Sequence, residues 1–342
     1  MHVLLTGASG FVGQATLKTL IKRGATTLAT STTGQALWES SKVNWLAWDA
    51  NKAATPPQDI DYSIIDSIVH LASPRGRKLF PEQYSPIFQT NTVASVELAN
   101  IAAKNSIPFV YASTGDVFGA GPEVVTETES VYSPTSFYAS TKASAELLLR
   151  PFSDITPVAI LRLFHPYGPG GDSFLLNRLV QQVLAKETIS VERNGGILLN
   201  PVWIDDLAEG LCNAIERRVN GVFHLAGSKT IRLGKLAKAA NVPRFVFSSS
   251  CSSYGANEEI VNENSPLVPL TAYAKSKVKS ESELLKLKDD NFIPVILRSA
   301  TAYGISPNLR LDLVVNNLTC SALTTGKVEM LSDGTAWRPL LH

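Results

Sequence analysis

The chain has 342 residues, 44% hydrophobic and 18% charged, with a formal net charge of +1. That length suits one large domain or two modest ones, and near-neutral charge gives no reason to expect nucleic acid or an anionic membrane as partner. No apolar run reaches the ~20 residues of a membrane span, no charged-then-apolar leader opens the chain, and Cys212, Cys251 and Cys320 are spaced too widely for a metal cluster, so the expected compartment is a reducing cytoplasm.

Val3, Leu4 and Leu5 read as a short buried strand that runs into Thr6-Gly7-Ala8-Ser9-Gly10-Phe11-Val12-Gly13. A helix then extends from Phe11 to about Lys22. In this setting Gly7 permits a tight turn, Gly10 lets a pyrophosphate approach the backbone, and Gly13 lets the helix pack closely on the strand. The N–H groups of the helix start, at Phe11 and Val12, face the anion. The spacing is G-x-x-G-x-x-G rather than G-x-G-x-x-G. Glycines alone would serve any tight turn; the strand–turn–helix setting is what points to a dinucleotide.

Residues 26–30 form the second predicted strand, ending in Ser31-Thr32-Thr33-Gly34. No acidic residue stands there for a ribose 2′-hydroxyl and no arginine for a 2′-phosphate. Ser31 and Thr32 can hydrogen-bond either group, so NAD and NADP both stay open, with a lean to NADP because a repelling carboxylate is absent. Residues 45–49 form the third strand, where Asp49 either accepts from an adenine amino group or caps a turn. The fourth strand covers 67–72, and its small end at Leu71, Ala72 and Ser73 lets a cofactor lie close. His70 within it reads as a core histidine rather than a catalyst. Helical spacing over about 82–104 includes Asn91, and Phe109–Thr114 is the fifth strand. Strands alternating with helices predict an α/β fold with a parallel, doubly wound sheet that binds ligands at its strands' C-terminal ends.

Tyr138 and Lys142 stand four apart on one face of a helix that runs to about Leu149. A tyrosine of ordinary pKa near ~10 is a poor base at neutral pH. An ammonium beside it, with a nearby nicotinamide cation, favours the phenolate. Thr114, at a strand end, supplies a hydroxyl to orient a substrate oxygen. Thr114, Tyr138 and Lys142 are therefore the candidate catalytic residues.

Six ordered stretches, TGASGFVG, IVHLAS, ASTGDVFG, YASTK, LRLFHPYGPGG and PVWIDDLA, carry a family resemblance over residues 1 to about 237. That region resembles the extended short-chain dehydrogenase/reductase superfamily, in particular its nucleotide-sugar epimerase/dehydratase group. The resemblance implies a Rossmann-type sheet, a nicotinamide cofactor held by the first half and a substrate gripped partly by later loops. It implies that Thr114 is the usual Ser/Thr, Tyr138 the acid/base and Lys142 the ribose contact that activates the tyrosine. Asn91 matches the helix asparagine common before the fifth strand. His165 departs from the family's usual asparagine, which puts the usual sugar-nucleotide contact in doubt. Gly115-Asp116 replace the Asp-Glu of sugar 4,6-dehydratases, which argues against dehydration. Asp205-Asp206 read as a helix N-cap before residues 207–215.

Beyond about Leu236 the sequence returns to the middle of the same pattern. Residues 245–250 repeat the fifth strand, Tyr254-Gly255 echo Phe118-Gly119, and Tyr273-x-x-x-Lys277 is a second Tyr-x-x-x-Lys. Leu297-Arg298 echo Leu161-Arg162, and Tyr303-Gly304 echo Tyr167-Gly168, at offsets of about 135 or 136 residues. The expected organisation is an NAD(P)-binding domain over 1–237 and a partial second copy over 238–342, joined by a helix at 235–241. The second copy lacks its own glycine turn and first four strands. Ser250, Tyr273 and Lys277 form a second triad expected to be inactive for want of a cofactor, unless a partner chain supplies one.

The expected function is an NAD(P)-dependent oxidoreductase or epimerase acting on a nucleotide-sugar or related hydroxylated small molecule, without a metal. The family forms dimers through a helix pair, so a homodimer is expected unless the added half-sheet blocks that contact. The alternative is a non-catalytic NAD(P)-binding or interaction protein that arose by fusion of two family members.

Overall fold

β1 (His2–Thr6) has its last four residues wholly buried, as a strand must when helices cover both faces of its sheet. It pairs in parallel with β2 (Thr26–Ser31) on one side and with β4 (Ser67–His70) on the other. β3 (Val43–Ala47), β5 (Phe109–Thr114), β6 (Val158–Leu163) and β7 (Gly221–Leu225) complete a seven-stranded sheet. Its order is β7-β6-β5-β4-β1-β2-β3, with every neighbouring pair parallel. The computed structural model describes residues 1–74, 80–82, 84–119, 125–128, 132–185, 187, 191–192, 198–239, 244–256, 260–304, 313–328 and 340–341.

α1 (Phe11–Lys22) and α6 (Ile204–Glu216) cover one face, where Leu17, Leu20, Leu207 and Leu211 bury Val3, Leu5, Val110 and Leu161. α3 (Ala94–Lys104) and α4 (Phe137–Leu149) cover the other, packing Leu98, Ala102 and Leu149 on Leu4, Ile68 and Phe109. Each leucine so buried contributes about 1.5–3 kcal/mol. α2 (Tyr84–Phe88) precedes α3, and α5 (Leu175–Leu184) lies between β6 and α6.

Three expectations shift. The helix expected over 82–104 is divided: α2, then a wide π-type turn at Gln89–Val93, then α3, with residue 83 outside the described residues. The fourth strand ends at His70 because Ala72 N–H leaves the ladder and donates to the Thr6 hydroxyl. Asp205 and Asp206 are not the N-cap. Trp203 occupies that position, and the two carboxylates sit in the first turn of α6, where the helix dipole favours them.

The chain forms two compact units, Met1–Val180 with Leu199–Thr230, and Gln181–Leu198 with Ile231–His342. The second unit contains α7 (Leu233–Ala239), β8 (Arg244–Ser250), α8 (Ala272–Leu285), β9 (Ile293–Ser299) and α9 (Val314–Thr325). The end of the joint helix expected at 235–241 lies outside the described residues. β8 pairs in parallel with β9, residue by residue from Arg244 with Ile293 to Ser250 with Ser299. Its other edge takes the two-residue strand Val191–Glu192, which pairs with Phe247 and Ser248. β5 is buried throughout, whereas β8 and β9 alternate. The second sheet therefore has one covered face and one on which Ile293, Val295 and Leu297 are exposed.

Candidate active site

The glycine turn sits where the sheet order reverses, between β1 and β4. Gly7 has φ +68°, and a Cβ added there would lie 2.6 Å from Ala72 N, so only glycine fits between the two strand ends. A Cβ at Gly13 would lie 2.1 Å from Gly7 O, which fixes how closely α1 returns over the turn. Gly10 differs: an added Cβ would meet only Gly7 O, at 3.2 Å, and no side chain caps the helix that starts there. The open face of the turn, with the first N–H groups of α1, suits an anionic ligand. The Phe11 ring packs on Phe174, 4.9 Å between centroids; Phe11 and Val12 would offer their backbones.

Behind the turn lies a buried polar chain. Ala72 N–H donates to Thr6 Oγ1, which lies 2.7 Å from His70 Nδ1, and His70 Nε2 lies 3.2 Å from Thr90 O. The carbonyl requires the proton on Nε2, so Nδ1 accepts from Thr6. Burial, with Lys142 nearby, pushes the His70 pKa down to about 3. The residue is a neutral core histidine that buttresses the Leu71–Ala72 strand end.

A second chain links that strand end to α4. Ser73 Oγ donates to Asn91 Oδ1 at 2.8 Å, Asn91 Nδ2 to Thr141 Oγ1 at 3.1 Å, and Thr141 Oγ1 to Tyr138 O at 2.8 Å. The wide turn before α3 also leaves the Asn91 carbonyl to accept from Tyr111 OH and Ser95 Oγ. Lys142 Nζ, one helical turn beyond Tyr138, donates to Ala112 O at 2.9 Å and lies 4.7 Å over the Tyr111 ring. Burial lowers the Lys142 pKa to about 7, against the opposing pull of Glu146. Tyr138 is half-buried, and its phenol acts electrostatically on Tyr111. Thr114 Oγ1 accepts from Asp116 N–H at 3.2 Å, which leaves its own proton to donate.

Asp49, in the loop after β3, is tied to Thr90 through Asn51, whose Oδ1 accepts from Thr90 Oγ1 at 2.9 Å. Asp49 Oδ1 accepts from Asn51 N and Nδ2, as a turn cap does, and its Oδ2 lies 3.9 Å from Lys52. Ser31 Oγ accepts from Gly34 N. His165 adopts φ +27°, and its Nδ1 accepts from Asn200 N–H at 3.2 Å.

One pair escaped the sequence reading. Glu146 and Arg162, 0% and 1% exposed, form an ion pair at 2.8 Å between α4 and β6. Ser113 Oγ and Tyr132 OH also donate to Glu146. The second unit repeats this geometry. Glu281 pairs with Arg298 at 2.6 Å and accepts from Ser249, while Lys277 Nζ donates to Ser248 O at 2.6 Å. Ser250 Oγ accepts from Ser252 N–H, as Thr114 does from Asp116. Tyr273, by contrast, is 50% exposed. A glutamate eight residues past each tyrosine was the available signal.

A doubly wound parallel sheet with a glycine turn at its first strand and a buried lysine one helical turn past a tyrosine is a dinucleotide-binding architecture of the Rossmann type. The model of the NAD dependent epimerase/dehydratase family matches residues 3–227 and also 220–342, and the chain belongs to that family. Protein CapI of Staphylococcus aureus is 25% identical over 233 residues, 64% of this chain and 70% of CapI. UDP-glucuronate 4-epimerase 3 of Arabidopsis thaliana is 26% identical over 264 residues, 70% of this chain. The chain spans 61% of that relative's length. The solved UDP-glucuronic acid 4-epimerase of Bacillus cereus, in complex with NAD, shares the fold with a TM-score of 0.62. It is 22% identical, and the likeness covers 84% of this chain and 96% of that one. Among the described residues no helix is long and apolar enough to cross a membrane, and no cluster of His, Cys, Asp and Glu could hold a metal.

Proposed function

We propose that this chain is an NAD-dependent epimerase or related oxidoreductase of a UDP-sugar, working through its first unit. The observation that carries the reading is the hydrogen-bonded path from Ser73 through Asn91 and Thr141 to the Tyr138 backbone carbonyl, which ties the cofactor-side strand end to the helix that bears the candidate base. The open Gly10 face fits a pyrophosphate, with Gly7, Gly13 and the backbones of Phe11 and Val12 around it. Leu71, Ala72 and Ser73 would line the nicotinamide side, and the second oxygen of Asp49 would receive the adenine amino group. NAD rather than NADP is favoured by the Ser31 hydroxyl being turned into its own loop and by the NAD in the solved relative.

A bound nicotinamide supplies a hydride acceptor able to return what it takes. Tyr138 removes the proton from a substrate hydroxyl, and the Thr114 O–H donates to the same oxygen. Lys142, one helical turn beyond Tyr138, would reach the ribose and, when protonated, favour the phenolate. The second family match, the constant offset and the repeated Glu–Arg geometry support reading the C-terminal region as a partial second copy. Its Ser250, Tyr273 and Lys277 are proposed to be inactive, since the second unit's described residues include no glycine turn of the Gly7–Gly13 kind.

The test is fluorescence titration with NADH and NADPH, followed by UDP-glucuronate turnover. Saturable NADH binding that is lost in Gly10→Asp is expected. Tyr138→Phe should keep that binding and lose at least about 100-fold in turnover. Absence of binding to either nucleotide overturns the proposal; binding without turnover of any UDP-sugar favours the non-catalytic alternative.

A further inference from the structure

In the first unit a phenol completes the buried Glu–Arg pair. Tyr132 OH donates to Glu146 Oε2 at 2.9 Å and accepts from Arg162 Nη2 at 3.2 Å and Arg150 Nη2 at 2.8 Å. Both guanidinium groups also lie against its ring, at 5.5 and 5.6 Å from the centroid.

The second unit keeps the pair but, among the described residues, has no phenol on the glutamate; Tyr254 OH meets Arg298 at its other end. Leu267 takes the place of Tyr132, and the neighbouring backbone fixes that equivalence. A Cβ added at Gly119 would lie 1.9 Å from Ser133 O, and one added at Gly255 would lie 2.1 Å from Val268 O, so the next residue in each copy presses on the same glycine. Leu285 stands one turn past Glu281, as Arg150 stands one turn past Glu146. Two hydrogen-bonding side chains are thus replaced by two leucines.

What remains is a groove of about 420 Å³, walled by Leu267, Val278 and Leu285 and floored by Glu281 and Arg298. Glu281 is 2% exposed and Arg298 17%. Among the described residues, Glu281 Oε2 is met only by Arg298. The other end of the guanidinium is occupied, Nη1 donating to Tyr254 OH and Glu263 O. The volume falls in the range of small-molecule sites, about 300–1,000 Å³.

We propose that this groove binds a small phenol, whose hydroxyl donates to Glu281 and accepts from Arg298 while its ring lies between Leu267 and Leu285. A carboxylate ligand is disfavoured because Glu281 already neutralises Arg298 and would repel it, and because Lys286, the other cation lining the groove, is paired with Glu283 at 2.8 Å. A plain aryl ring would cover the floor without meeting its polar groups, at a cost in affinity. The inference rests on the local geometry of the second unit and is independent of the activity assigned to the first.

The test uses the full chain with labelled leucine and valine methyl groups, titrated with p-cresol, toluene and 4-methylbenzoate and followed by NMR. Saturable shifts at Leu267, Val278 and Leu285 are expected with p-cresol, which should bind about tenfold more tightly than toluene. The benzoate should bind more weakly than p-cresol. Leu267→Tyr rebuilds the missing phenol and should abolish these shifts; Leu285→Trp, which fills the groove from its rim, should do the same. Methyl signals of the first unit report that each variant is folded. Equal affinity for toluene, no shift with p-cresol, or undiminished p-cresol binding in both filled variants overturns the proposal.

Discussion

His70 and Lys142 are both buried beneath the site and both titrate away from their ordinary ranges, with consequences for stability that can be signed. The unfolded chain takes up the His70 proton below pH ~6.5, whereas the folded chain resists it until about 3. The unfolded state therefore binds more protons in that window, and stability falls as pH drops from 6.5 toward 3. His70→Gln should flatten this part of the curve, which urea unfolding at pH 7, 5 and 4 would reveal; an unchanged slope would count against a neutral buried imidazole. For Lys142 the window is higher. The folded pKa of about 7 lies below the ordinary 10.5, so burial costs stability in full below pH 7 and not at all above 10.5. Relative to the natural chain, Lys142→Met should gain stability as pH falls from 10.5 to 7 and stay level below. The chemistry of these residues was legible because glycine spacing and Tyr-x-x-x-Lys are tied to it. Glu146 was not, since a glutamate four residues past a lysine on a helix reads as an ordinary exposed i,i+4 pair.

The Glu146–Arg162 pair binds α4 to β6 and so locks the Tyr138 helix onto the sheet. Removing one partner of a buried pair strands the other charge at a cost of about 3–5 kcal/mol. Glu146→Gln should approach that loss in chemical denaturation. Glu281→Gln should cost less, because Arg298 is partly exposed and keeps its bonds to Tyr254 and Glu263. Equal losses would show that the two pairs are not graded by burial. Most elements of the first unit were readable from their apolar runs, and β5 and α1 were located within a residue or so. The break at Gln89–Val93 was hidden, because one extra backbone residue in a turn leaves the helical spacing of apolar side chains on either side intact.

On the scale of the whole chain, the two Tyr-x-x-x-Lys motifs, 135 residues apart, were legible as motifs. The short strand Val191–Glu192 was invisible, since two residues carry no periodicity. It lies beside β8 on the edge away from β9, the seat that β4 holds beside β5 in the first unit. A fragment of residues 231–342 would lose that neighbour and expose a row of unpaired N–H and C=O groups. Light scattering should find such a fragment self-associating at concentrations where the full chain does not.

That strand also limits how the second unit can be moved between proteins. A gene segment cut at residue 231 would carry the Glu281–Arg298 pair and the groove but leave one edge of their sheet behind. Transplantation would succeed only with the upstream stretch included or with a substitute strand supplied by the host. The unit is inherited from two separate places in the chain, and recombination that separates them divides a single folded object.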